Sequence, residues 1–238
     1  MTVHTSDETS RVWRPATDSR AVKGEVGPEV SAAVRDRRQA IGELGAALRT
    51  LVEYATSTEA PTADLHRAAE HADRAAALLG ERLRDRASLP SVDDLRGGVR
   101  VYNPVTGGGS PFAPPLLIAE DGTGVIGTCT LGLALEGPPM YAHGGVSAML
   151  LDQLLGYAVS AAGTPGMTVR LDLAYKAPVP LLTPLRLTGE VRETEGRRVV
   201  AYGTIATAAE PDAVLVTATG TFAMLQGRQA EELFGPVL

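Results

Sequence analysis

Residues 137–159 read GPPMYAHGGVSAMLLDQLLGYAV, and the second half of this stretch decides the fold. Residues 146–162 are nearly all apolar, contain no proline and only one interior glycine, Gly156, and stop at Gly163-Thr164-Pro165-Gly166. Such a run is too long for a strand, so the spacing predicts a helix that is apolar on every side and fully buried.

Strands surround this helix. On its C-terminal side Val169, Leu171, Leu173 and Tyr175 alternate with Arg170, Asp172, Ala174 and Lys176, the period of a half-buried strand. Strands follow at 185–194, 199–208 and 213–225, with turns at Glu195-Gly196-Arg197 and Glu210-Pro211-Asp212. On the N-terminal side, 116–119 and 124–133 form a hairpin across Glu120-Asp121-Gly122-Thr123, and 99–102 is a further short strand. One apolar helix with antiparallel strands before and after it defines an α+β arrangement in which the sheet wraps the helix.

The composition changes near residue 95, and more than half of the charged side chains lie before it. Residues 1–28 are polar and aperiodic and read as a disordered or loosely ordered N-terminus. Residues 29–95 read as a helical hairpin extension. Val30, Val34, Ile41, Leu44, Leu48 and Leu51 recur at helical spacing, and after a break at 57–62 Leu65, Ala68, Ala72, Ala75, Leu79 and Leu83 repeat the pattern. The main domain covers 96–226, and 227–238 is a C-terminal tail.

The full chain has 238 residues, a net charge of −6, 44% hydrophobic residues and a single cysteine, Cys129. Clustered positive charge is absent, which argues against a nucleic-acid partner. No apolar run is long enough for a membrane span, one cysteine makes no disulfide framework, and Asp7 and Glu8 with no apolar segment are unlike a signal peptide. The expected location is the cytoplasm.

Within the apolar helix Asp152 is the one carboxylate, and a carboxylate in apolar surroundings is costly unless paired or used. It is therefore a candidate general base or nucleophile; alternatively it accepts hydrogen bonds from a neighbouring strand and only pins the helix. Nine residues earlier stands His143, followed by Gly144 and Gly145. Paired glycines at a helix start offer backbone N–H groups at the positive end of the helix dipole, where a carbonyl oxygen or oxyanion docks.

In these motifs the chain resembles the hotdog-fold acyl-CoA thioesterases of the phenylacetate-degradation (PaaI-like) branch. The resemblance rests on residues 137–159, on TVRLDLAYKAPVPLLTPLRLTGEV at 168–191, on EGRRVVAYGTI at 195–205 and on LVTATGTFAML at 215–225. It extends less distinctly through YNPVTGGGSPFAPPL at 102–116 and GVIGTCTLG at 124–132. It implies a hotdog fold carrying the N-terminal hairpin, and hydrolysis of an acyl-CoA to free acid and CoA.

The same resemblance implies that Asp152 is the base or nucleophile, that the Gly144 and Gly145 amides polarise the thioester carbonyl, that His143 is a positioning residue, and that Thr168 helps orient the attacking water from the neighbouring subunit. Strict alternation, however, places Thr168 on the outward face with Arg170. Some relatives carry Asn or Gln six or seven residues before the His, where this chain has Gly137 and Glu136. Lys176, Arg197 and Arg198 are candidates for CoA phosphates, or simply exposed hairpin charges. The CoA thiolate leaves readily, so neither metal nor cofactor is expected. The resemblance further implies a homodimer or dimer of dimers whose sites draw on both subunits. A non-hydrolytic acyl-CoA binding module is the competing function.

Overall fold

The computed structural model describes residues 31–86, 88–94 and 98–225; the expectations for 1–28 and 227–238 lie outside the described residues. The first two elements among the described residues are helices, α1 at Ala32–Ser57 and α2 at Thr62–Gly80. A hairpin follows, β1 at Leu117–Asp121 and β2 at Gly124–Thr130, then a 3-10 turn at Leu133–Leu135. Helix α3 spans Gly144–Ala161 and leads into β3 at Gly166–Tyr175, β4 at Pro184–Glu195, β5 at Arg198–Thr207 and β6 at Val216–Met224.

All six strands form one antiparallel sheet in the order β1-β2-β4-β5-β6-β3. The chain leaves α3 to build the far edge with β3, then returns to place β4 beside β2. Helix α3 lies across the sheet and touches every strand. Leu150, Leu151, Leu154 and Leu155 are fully buried beneath it. Each such leucine contributes about 1.5–3 kcal/mol relative to exposure.

Small residues in the sheet admit these leucines. A Cβ on Gly203 would stand 3.0 Å from Leu155 Cδ2, and one on Gly189 would stand 3.3 Å from Leu154. Gly189 and Gly203 face each other in register, so the helix settles into a shallow trough. The expectation of a fully buried helix needs correction. Only the row Ser147, Leu150, Leu151, Leu154, Leu155, Ala158 and Val159 is buried, while Gly145 and Ser160 are exposed and Asp152 is intermediate. Open space surrounds the position of a Cβ on Gly156.

One further correction concerns the first half. Residues 99–102 form no strand: Val99 makes a single bridge to Asp94 and the chain then turns. The Asn103 side chain receives the Val105 and Thr106 N–H groups, closing a loop with no strand partner. The extension is helical as expected: α1 packs on the 3-10 turn, and α2 buries no residue.

Helix α1 leaves Leu44 and Leu51 40% and 44% exposed. It attaches through Gly45, which touches the Gly108–Gly109 backbone, and through polar side chains that reach backbone groups. Arg38 donates to the Val92 carbonyl, Arg49 donates to the Gly108 and Ser110 carbonyls, and Glu53 accepts from Leu133 and Ala134. Among the described residues, no helix is long and apolar enough to cross a membrane.

Candidate functional site

Helix α3 begins where it does because His143 caps it. The residue is extended (φ −60°, ψ 137°), and its Nδ1 accepts the Gly145 N–H at 3.1 Å. The cap corrects one expectation. The Gly145 amide is engaged by its own histidine, whereas the Gly144 N–H has no hydrogen-bond partner among the described residues.

The loop that delivers His143 is tightly bonded. His143 N–H donates to the Leu135 carbonyl, Gly137 N–H to Tyr141 and Ala142 N–H to Val179, each at 2.9 Å. Glu136 receives the Met140 N–H at 2.6 Å, so its carboxylate closes this turn. Gly137 is required for the approach: a Cβ there would stand 2.8 Å from His143 Cα. Tyr175, from the end of β3, donates its hydroxyl to the Gly144 carbonyl at 2.9 Å. Sequence reasoning missed that contact, although Tyr175 continues the inward series Leu171, Leu173.

A cleft of about 350 Å³ opens beside this helix start, lined by Tyr141, Gly144, Ser147, Tyr175, Lys176 and Val179 among others. Lys176 thus belongs with Gly144. Arg197 and Arg198 do not. Arg198 pairs in register with Ala223, which pairs with Met167 near the start of β3, the sheet end opposite Tyr175. There Arg197 donates to the Met224 carbonyl and Arg198 pairs with Glu193 and Glu195.

Asp152 lies farther along α3, and the Thr168 hydroxyl donates to its Oδ1 at 2.8 Å. Strict alternation had turned Thr168 outward. A β-bulge between Thr168 and Arg170 breaks the period, so Thr168 pairs with the buried Phe222 and faces the helix while Arg170 pairs with Thr221 and faces away. Asp152 lies eight residues beyond Gly144, about 12 Å along the helix axis. A reacting carbonyl must sit about 3 Å from both its activating donor and the attacking group. Within one chain the two halves do not meet. Among the described residues, no cluster of three or more His, Cys, Asp or Glu is placed to hold a metal ion.

The Thioesterase superfamily model matches residues 141–212, the span from the His143 loop through β5. A crystal structure of a thioesterase superfamily protein is 34% identical, covers 83% of this chain and 97% of its own, and superposes with a TM-score of 0.68. The chain belongs to the thioesterase superfamily, and its fold is the hotdog fold with an N-terminal helical extension. Among curated relatives, the acyl-coenzyme A thioesterase THEM4 of Mus musculus is 35% identical over 74 residues, 31% of this chain and 32% of the relative. The Xenopus laevis THEM4 is 37% identical over 68 residues, 29% and 31% respectively. The match spans about a third of the length of these relatives.

Proposed function

We propose that this protein hydrolyses acyl-CoA thioesters, in sites that each combine two chains. The observation that carries the proposal is the Thr168–Asp152 hydrogen bond, which holds a carboxylate on the less buried side of α3 with a hydroxyl aimed at it. Superfamily membership and the acyl-coenzyme A thioesterases among the relatives support the same activity.

One chain supplies Asp152 and Thr168; a second supplies the His143-capped start of α3, with the Gly144 N–H facing the thioester oxygen. The β3 edge supports this pairing. It has no strand on its outer side among the described residues, and Met167, Val169 and Tyr175 are 47%, 62% and 55% exposed along it. A bare edge is a template for another strand.

Asp152 takes a proton from water, whose oxygen attacks the acyl carbon while the Gly144 amide receives the developing charge. The tetrahedral intermediate collapses, the C–S bond breaks, and the CoA thiolate leaves. Direct attack by Asp152, giving a mixed anhydride that water then opens, uses the same residues. Tyr141 and Tyr175 flank the cleft at the helix start and Lys176 stands at its border, placed for a phosphate or carboxylate of the substrate.

The test is thiol release from a panel of acyl-CoAs, short to long and aryl, by the wild type beside Asp152→Asn. Turnover by the wild type, lost in the variant, supports the reading. Release unchanged in the variant, or absent from both across the panel, overturns it.

A further inference from the structure

We infer that helix α1 is part of the active-site framework and that Glu53 positions the His143 loop; the inference rests on the site described under Proposed function. Glu53 is 8% exposed, yet its carboxylate meets only backbone donors, Leu133 N–H on Oε1 at 2.8 Å and Ala134 N–H on Oε2 at 3.1 Å. Burying a carboxylate is costly, and here two charge-assisted hydrogen bonds offset that cost. An apolar side chain would anchor α1 without it. What the carboxylate adds is direction, because it fixes both N–H groups of the 3-10 turn at once.

That turn leads straight to the site. Leu135, its last residue, accepts the His143 N–H at 2.9 Å, and His143 in turn caps α3. The line therefore runs from Glu53 through the turn to the histidine backbone and the Gly144 amide. Gly132 is shaped for it, since a Cβ there would stand 2.3 Å from Glu53 Oε2. The other polar anchors of α1 go elsewhere: Arg38 to Val92, and Arg49 to Gly108 and Ser110. Removing Glu53 frees the turn and leaves the helix attached.

The test compares Glu53→Ala and Glu53→Gln with Arg38→Ala, a variant that loosens α1 away from the turn. Two readouts are taken on the full chain: steady-state thiol release, and hydrogen–deuterium exchange of peptides covering 131–145. Glu53→Ala is expected to lower kcat by about 10- to 100-fold with KM changed less than threefold, and to speed exchange in 131–145. Glu53→Gln, which keeps one acceptor, falls between it and the wild type, and Arg38→Ala keeps wild-type kcat. Unchanged exchange in 131–145 for both Glu53 variants overturns the inference, as does an equal loss of kcat in Arg38→Ala. Exchange is read without turnover, so a wild type that releases no thiol overturns the proposed activity while the link from Glu53 to the loop is still decided.

Discussion

Thr168 donates its hydroxyl to Asp152 at 2.8 Å because a single extra residue in β3 turns it toward the helix. The bulge makes a sheet residue the partner of a helix carboxylate. It leaves the other Asp152 oxygen without a side-chain partner among the described residues, on the less buried side of α3.

Asp152→Asn and Thr168→Ala are therefore expected to differ in degree. Loss of the carboxylate removes proton transfer and lowers kcat by about 10²–10⁴-fold. Loss of the hydroxyl removes one hydrogen bond to a charged group, about 1.5–3 kcal/mol, or roughly 10- to 150-fold. Steady-state thiol release measures both, and calorimetry with a non-hydrolysable thioether analogue should show affinity nearly unchanged. Equal losses in the two variants would count against separate roles.

The exposed edge strand gives a prediction about assembly. Val169→Lys places a charge on β3 at a position 62% exposed in the single chain, where folding stability should move by no more than about 0.5 kcal/mol. If two chains pair through this edge, sedimentation will show a monomer with an intact circular dichroism spectrum and no thiol release. A persistent active dimer would exclude this edge as the interface.

His143→Ala removes the side-chain cap of α3. The expected loss is about 0.5–2 kcal/mol, read as a lower denaturant midpoint with an unchanged slope. His143→Asn, whose side-chain oxygen also caps well, should recover most of that stability while activity stays impaired if the ring itself meets substrate.

Cys129 gives a pH prediction. Burial pushes its thiol up to about 12 from an ordinary value near 9. A raised folded-state value favours the protonated form, so this contribution is whole below pH 9 and is lost as pH rises from 9 toward 12. Over that window stability should fall by up to about 1.4 kcal/mol per pH unit. Urea midpoints at pH 8 and pH 10.5, compared with Cys129→Ala, isolate the effect; an identical slope in the variant would refute it.

The fold was largely legible because its signals were long and periodic. An apolar run beyond strand length predicted α3, period-two alternation predicted β3, and turn residues bounded the strands that follow. Thr168 escaped because a bulge adds a residue without altering the local composition, so alternation assigned it the wrong face. The attachment of α1 escaped for a different reason. Leucine spacing marked one stripe, whereas Gly45, Arg49 and Glu53 bind backbone groups of distant loops, and no periodicity reports such contacts. Residues 99–102 look like a strand by side-chain type, but strand propensity needs a partner, and Val99 finds only a single bridge. The separation of Gly144 from Asp152 could have been found earlier, since eight residues of helix set it.

Helix α2 contributes no side chain to the core. A segment on which folding makes so little demand is free to drift: substitutions along its outward faces, or an added turn, cost the sheet nothing. It is accordingly the natural place to graft a fluorophore or an affinity tag.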